Sequence, residues 1–303
     1  MQSKKSPLYS VLIFFIFTAA LLINIMMNKN TVFATSVKDY IKTNKNSEIF
    51  IKDNALFFYG VKLTTKGGDF FEGQRLLTAT YKDKNIIKEY SLDGDIADAK
   101  IENNFPSQGM TALIFKLWNG GAVCCWGQVV FVKNGNNIIY ALIDEGRIPD
   151  DVKNQKNGTI KIFDNRLLQF QASKGNTFVA FAPGDALLLP RFIVFENNSW
   201  RADKEGELSA AYKKMENEYI DRVPAKYLKQ DKDVYENELQ NANVYNAMMR
   251  TFFCLMEGGP DEHCRTMLQQ ILNEKSKPLY RQLWAGVVEK VMCFKPIHES
   301  AIY

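Results

Sequence analysis

The pattern of apolar and polar positions changes character once along the chain, near Asp203. From about Ser47 to Asp203, apolar runs of strand length alternate with turns rich in Asn, Asp and Gly, near positions 53, 83, 134, 164 and 197. Asn, Asp and Gly tolerate a positive φ, so apolar runs joined by them indicate β-hairpins. The pattern predicts an antiparallel β domain over residues 35–203, arranged as a meander of the propeller-like or sandwich type.

Beyond Asp203 the apolar residues recur at the spacing of amphipathic helices. Helices are predicted over Glu207–Ile220, from about Asp231 to Glu257, from Asp261 to near Lys275, and from Pro278 onward. The connections between the last three are short, which favours antiparallel neighbours. Residues 204–303 are therefore expected to form a small C-terminal helical bundle docked on the sheet, and the fold class is α+β.

The first thirty-four residues differ from both parts because they contain no acidic residue. Lys4 and Lys5 precede an apolar run over residues 8–27. The segment ends in Val32-Phe33-Ala34, which places the compact residues Val32 and Ala34 at the two positions that a signal peptidase reads. This is the layout of a secretory signal that is cleaved after Ala34. A run of about 20 apolar residues can also span a bilayer, so an uncleaved N-terminal anchor is the alternative. Either interpretation predicts an exported protein, periplasmic or extracellular.

The charge of the chain narrows the class of partner. The formal net charge is +4, and removal of residues 1–34 would take away three lysines and leave +1. A nearly neutral chain lacks the electrostatic footprint of a nucleic-acid-binding protein. The expected partner is therefore a protein, a peptide or a cell-envelope component. Contact with a membrane is expected only if the N-terminal segment stays uncleaved.

One short stretch, WNGGAVCCWG from Trp118 to Gly127, concentrates two of the four tryptophans and two of the five cysteines. Strand-like apolar sequence runs into it and out of it. Aromatic side chains supply much of the binding energy at protein interfaces, so Trp118 and Trp126 are candidate binding residues. Tryptophans buried in a β core would give the same sequence pattern.

The segment GGAVCC, residues 120–125, resembles the GGAHCC-type signature of exported bacterial proteins without an assigned activity. The stretch from Phe181-Ala182-Pro183 through PRFIVF at 190–195 to Trp200 is similar to the apolar, Pro-containing strands that follow the signature in those proteins. The resemblance covers about residues 47–203 and carries over no catalytic activity. Val123 stands where the signature has His, so a role that depends on the imidazole is not implied for this chain.

Five cysteines in an exported chain predict two disulfides and one remaining thiol. Cys254 lies near the end of one predicted helix, and Cys264 lies in the first turn of the next. Antiparallel helices with axes about 8–10 Å apart bring facing Cα atoms within reach of a disulfide. Cys254–Cys264 is the preferred pair, with Cys293 as the competing partner for either cysteine.

The adjacent residues Cys124 and Cys125 admit two interpretations. Their Cα atoms are only about 3.8 Å apart, so a bond between them would be strained and easily reduced, as a redox switch requires. Alternatively, neighbouring side chains in a strand point to opposite faces, so one cysteine packs in the core while the other pairs with a distant cysteine such as Cys293. The structural interpretation is preferred over the redox one.

Other candidate chemistry is sparse. The two histidines, His263 and His298, lie in no catalytic motif, and the zinc-binding spacings CxxC and HExxH, the P-loop and GxGxxG are absent. The acidic pairs Asp144-Glu145 and Asp150-Asp151 could form a glycosidase dyad, although carboxylates in loops are usually solvated. No metal and no cofactor are expected.

These observations together predict an exported, non-catalytic binding or structural protein of the cell envelope. The alternative is an envelope enzyme, either redox-active at Cys124–Cys125 or a carboxylate-dependent hydrolase.

Overall fold

The computed structural model describes residues 33–45, 47–65, 76–87, 95–118, 126–146, 158–164, 171–175, 177–180, 189–220 and 236–303. Within these ranges the chain forms a nine-stranded, a five-stranded and a two-stranded sheet, mostly antiparallel, followed by helices. The α+β class expected from the sequence is confirmed.

The strands follow the apolar runs of the first part of the chain. They are β1 (Phe33–Ser36), β2 (Ile49–Lys52), β3 (Ala55–Phe58), β4 (Val61–Thr65), β5 (Leu76–Tyr81), β6 (Lys84–Ile87), β7 (Asp95–Asn103), β8 (Thr111–Trp118), β9 (Trp126–Asn134), β10 (Asn137–Gly146), β11 (Thr159–Asp164), β12 (Gln171–Lys174), β13 (Thr177–Ala180), β14 (Leu189–Glu196), β15 (Ser199–Ala202) and β16 (Ile297–Ile302). The five-stranded sheet is the meander β2 to β6, and β12 pairs with β13. The nine-stranded sheet has the order β1-β7-β8-β9-β10-β11-β14-β15, and β16 also pairs with β10.

The predicted hairpin turns carry the backbone geometry that Asn, Asp and Gly favour. Positive φ angles occur at Asp53 and Asn54 in the β2–β3 turn, at Gly135 in the β9–β10 turn, and at Asn197 and Asn198 in the β14–β15 turn. The turn predicted near position 83, between β5 and β6, has the same geometry. The turn predicted after position 164 falls on residues 165–170, outside the described residues, while β11 pairs with β14.

The five-stranded sheet packs face to face on the nine-stranded sheet. Their shared core includes Leu56 and Phe58 from one sheet and Leu113 and Phe115 from the other, all fully buried. This arrangement corresponds to the sandwich alternative rather than the propeller-like one.

The opposite face of the nine-stranded sheet is also covered. There Ala112 and Ile114 of β8 pack in a second core with residues such as Ile162 of β11 and Trp200 of β15. Strands buried on both faces read as continuous apolar runs rather than alternating ones, which explains the sequence ALIF in β8.

Four helices lie close to their predicted positions, whereas the first one, at Val37–Thr43, was not predicted. The helices are α1 (Val37–Thr43), α2 (Ser209–Ile220), α3 (Glu236–Met256), α4 (Asp261–Ile271) and α5 (Tyr280–Met292), with a 3₁₀ turn at Lys277–Leu279 before α5. Apolar residues of α2 to α5 form one core together with Ala172, Leu189 and Phe192 of the strands, so the helices dock on the β structure as expected. None of the helices in the described part of the chain is long and apolar enough to cross a membrane.

Two segments depart from the expected boundaries. Residues 297–302, expected within the helical part, form β16 and pair with Ile139–Ile143 of β10. Their sequence IHESAI carries little apolar periodicity, so the open edge of β10 decides their conformation rather than local preference. At the other end, Phe33 and Ala34 belong to β1 and pair with Asn103 and Glu102, so cleavage after Ala34 would remove half of this strand.

Candidate functional sites

Trp118 and Trp126 form a stacked pair at the end of the β8–β9 ladder. They are the terminal register partners of the two strands, with ring centroids 5.7 Å apart and an interplanar angle of 25°. The side chain of Trp118 is 38% exposed, and Trp126 is half-buried. Leu117 points into the core, and the alternation of side chains along the strand directs Trp118 away from it. The pair therefore presents an aromatic surface rather than filling the sandwich core.

Only some of the predicted redox and carboxylate residues lie within the part of the chain that the structure describes. Cys124, Cys125 and the pair Asp150-Asp151 lie outside the described residues. Asp144 and Glu145 lie in β10, where the amide of Asp144 donates to the carbonyl of Pro296 at 2.7 Å. The backbone of Asp144 is thus engaged at the edge of the sheet, and the carboxylate and redox interpretations both stay predictions.

Cys254 and Cys264 form a disulfide that links the end of α3 to the start of α4, as predicted. Their Cα atoms are 5.7 Å apart, which is within the usual range for a disulfide. Because both cysteines are used, Cys293 pairs with neither of them; it is exposed and lies at the C-cap of α5.

Glycines allow the α3–α4 turn to pack closely around this disulfide. A Cβ on Gly259 would lie 2.8 Å from both Sγ and the carbonyl oxygen of Cys254. A Cβ on Gly258, which has a φ of +85°, would lie 3.0 Å from the Cα of Gly206. The amide of Gly206 in turn donates to the carbonyl of Met256 at 3.1 Å, so the connection between β15 and α2 is held against the end of α3.

A buried ion pair joins the sheet to the helices. The guanidinium of Arg191, on β14, donates from Nε to Oδ1 of Asp203 at 3.0 Å, and the two side chains are 2% and 0% exposed. Nη1 of Arg191 also donates to the carbonyls of Lys290 and Val291 at 3.3 Å, which satisfies the end of α5. The hydroxyl of Tyr212, on α2, donates to Oδ2 of Asp203. One cluster thus fixes β14, α2 and α5 relative to one another.

Burial dominates the electrostatics of this cluster. It raises the pKa of the Asp203 carboxyl above its usual value, while the neighbouring Arg191 guanidinium opposes that rise. Burial and the adjacent Asp203 also raise the pKa of Tyr212 well above 10.0. With every polar group engaged inside the protein, this cluster is a structural joint rather than a place where a substrate could react.

A pocket of about 380 Å³ opens where α2, α3 and α4 meet. Its wall consists of Glu216, Arg250, Cys254, Glu257, Gly258, Gly259, His263 and Met267. Arg250 and Cys254 lie on α3, and Glu257 directly follows its last residue, where its amide still donates to the carbonyl of Phe253. At positions i, i+4 and i+7 the three residues share one face. The disulfide and the glycine turn described above form part of the same wall.

The pocket contains one buried carboxylate oxygen that has no hydrogen-bond partner among the described residues. Oε1 of Glu257 is buried and accepts no hydrogen bond. Burial raises the pKa of this carboxyl, and the nearby charge of Glu216 raises it further, while Lys213 lowers it. On the same wall, Nε of Arg250 donates to Oδ1 of Asn246 at 3.1 Å.

Sequence reasoning missed Glu216, Arg250 and Glu257, because charged residues on an amphipathic helix are normally solvated. The signal that could have found Arg250 and Glu257 is the stripe Arg250–Cys254–Glu257, which runs along α3 to the residue after its end, on a helix otherwise rich in buried residues. Of the two histidines, His263 is exposed at the rim of the pocket and His298 lies in β16. In the described part of the chain, no group of three or more His, Cys, Asp or Glu residues could hold a metal ion.

Comparison with known proteins adds no family to this picture: no protein-family model, no curated protein and no solved structure matches the chain. The function must therefore be argued from the sites themselves.

Proposed function

We propose that this chain is an exported, non-catalytic protein of the cell envelope that works by binding another protein, and that the Trp118–Trp126 pair is its contact surface. The observation that carries the proposal is the exposed, stacked geometry of this pair at the end of the β8–β9 ladder.

The aromatic pair has the properties of an interface anchor. A large aromatic ring that stays 38% exposed leaves apolar area in water that a partner can cover. Stacking on Trp126 restricts the ring of Trp118 before binding, so little conformational freedom is lost when a partner arrives. Both rings sit on paired strands rather than in a long loop, which gives the surface a fixed shape.

The Cys254–Cys264 disulfide supports the exported location. Disulfides persist in oxidising compartments and are rare in the reducing cytosol. The basic, then apolar N-terminal segment supports the same location, because it has the layout of a secretory signal or an anchor. A fractionation experiment tests this part: the full chain should be recovered outside the cytoplasm with the disulfide formed, and a chain without residues 1–34 should stay inside.

Site-directed photo-crosslinking in the host cell tests the contact surface. A photo-reactive residue at Lys116, two positions before Trp118 and on the same face of β8, should yield an adduct of defined mass. The double change Trp118→Ala and Trp126→Ala should abolish that adduct while the melting temperature falls only slightly.

The matched control uses the exposed Phe50 and the half-buried Phe57 on the five-stranded sheet, whose rings stack at 4.8 Å. Replacing both phenylalanines by Ala should leave the adduct intact. An adduct that survives the tryptophan changes, or that is lost equally in both double variants, would show that the Trp118–Trp126 pair is not the contact surface.

A further inference from the structure

We propose that the pocket between α2, α3 and α4 binds a short zwitterionic peptide of two or three residues, with its ammonium group at Glu257 and Glu216 and its carboxylate at Arg250. This site is separate from the Trp118–Trp126 surface, and each can exist without the other.

The acidic end of the pocket suits an ammonium group. Among the residues that the structure describes, none donates a hydrogen bond to the buried Oε1 of Glu257, although buried polar atoms in proteins nearly always have a partner. Glu216 lines the same pocket and its charge opposes ionisation of Glu257. An ammonium group offers three donors and one positive charge, so it satisfies the orphaned oxygen and relieves the repulsion between the two carboxylates.

The basic end suits a carboxylate. The bond from Nε of Arg250 to Asn246 orients the guanidinium on the half-exposed face of α3. Within the described part of the chain, Asn246 is the only residue that engages Arg250, so its two terminal nitrogens keep their hydrogens for a ligand. A guanidinium held in this way binds a carboxylate through two parallel hydrogen bonds.

The spacing of these charges selects the length of the ligand. Arg250 lies on α3 and Glu257 directly follows its last residue, where the amide of Glu257 still donates to the carbonyl of Phe253. Their Cα atoms are seven residues apart, which corresponds to a helical rise of about 10.5 Å. The two charges of a single amino acid lie too close together to reach both ends. An extended peptide advances about 3.3–3.6 Å per residue, so two or three residues span the distance. The volume of about 380 Å³ lies within the range of ligand pockets.

The wall between the two ends suits small side chains. Met267 and Cys254, the half-cystine that lines the pocket, supply polarizable, apolar surface. Gly258 and Gly259 contribute backbone to the same wall, and the space beside their Cα atoms is filled by Gly206 and Cys254.

Isothermal titration calorimetry of the purified, oxidised protein with trialanine tests the proposal. We expect millimolar or tighter binding of trialanine and no detectable binding of free alanine. N-acetyl-trialanine and trialanine amide each lack one terminal charge, and each should bind about tenfold or more weakly, since each loses a charge-assisted hydrogen bond. These derivatives test both ends of the pocket without altering the protein.

Variants test the same two ends from the side of the protein. Glu257→Gln and Arg250→Gln should each weaken trialanine about tenfold or more. Glu262→Gln, an exposed change on α4 outside the pocket, should not, and neither should the Trp118→Ala and Trp126→Ala double variant. No binding of trialanine at millimolar concentration would overturn the proposal, as would equal affinity for its capped derivatives or undiminished binding to both charge variants.

Discussion

The change Asp203→Leu tests how the sheet is joined to the helices. It removes the carboxylate but leaves Arg191 charged and 2% exposed. Breaking a buried ion pair on one side costs about 3–5 kcal/mol, because the remaining charge is uncompensated. Arg191 would keep its bonds to the carbonyls of Lys290 and Val291, so we expect the lower end of that range, about 3 kcal/mol. At about 2–4 °C per kcal/mol for a domain of this size, the melting temperature should fall by ~6–12 °C.

The second variant removes the charge altogether. In Arg191→Met combined with Asp203→Leu no buried ion remains, and apolar replacements of a buried pair are often neutral or stabilising. The hydroxyl of Tyr212 would lose its acceptor, so the change Tyr212→Phe is added to avoid a buried, unsatisfied donor. We expect this triple variant to be more stable than Asp203→Leu alone.

Urea denaturation followed by near-UV and far-UV circular dichroism measures these free energies of unfolding. The matched control is the exposed ion pair between Arg201 and Glu196. Nε of Arg201 donates to Oε2 of Glu196 at 2.8 Å, and the Glu196 side chain is 54% exposed. Glu196→Gln should cost about 0–1 kcal/mol, as exposed ion pairs do. If Asp203→Leu costs less than about 1 kcal/mol, or if the triple variant loses the sum of its single changes, the buried pair does not hold the joint together.

Three further predictions concern the helices and the last strand. Replacing Cys254 and Cys264 by Ser should destabilise the protein by slightly under about 3 kcal/mol on the chain-entropy model, measured by urea denaturation, and reductant should have no further effect on this variant. The pKa of the Glu257 carboxyl is higher in the folded protein than its usual value of 4.5. The carboxyl therefore stabilises the fold fully at a pH below 4.5, and this stabilisation is lost as the pH rises through the raised pKa. Glu257→Gln should therefore melt higher than the wild type at about pH 7, with the difference vanishing near about pH 4; a constant difference would contradict this account. Deletion of residues 297–303 should uncover the edge of β10 and cause association, detectable by light scattering, because an unpaired strand edge is a template for other strands.

Much of the fold follows from local rules that act within a few residues. Asp53-Asn54 and Asn197-Asn198 determine the β2–β3 and β14–β15 turns, because these residue types accept the positive φ that a tight hairpin needs. Gly258-Gly259-Pro260 marks the end of α3 and the start of α4. The spacing of Cys254 and Cys264 across this turn made them the preferred pair over a pairing with Cys293, and the structure confirms their disulfide.

Other features depend on segments that are distant in the sequence. Arg191 and Asp203 show no pattern that predicts their burial, because the cover over them comes from α2 and α5. The strand conformation of residues 297–302 likewise depends on the open edge of β10 and not on its own sequence. The packing of one sheet on the other decided between the sandwich and the propeller-like arrangement, which the strand pattern alone left open.

Of the two candidate sites, one was predicted from the sequence and the other depends on the packing of distant segments. The sequence alone singled out Trp118 and Trp126 by their position around one unusual turn, and the tertiary structure decided that their rings stack and stay partly exposed. The sequence pattern did not predict the pocket at Glu257 and Arg250, because each of these charged residues by itself has the pattern of a solvated residue on a helix. The periodicity of apolar residues predicts which face of its own helix a side chain occupies. Which side chains of different helices meet, and how far they are shielded from water, is determined only when α2, α3 and α4 pack together.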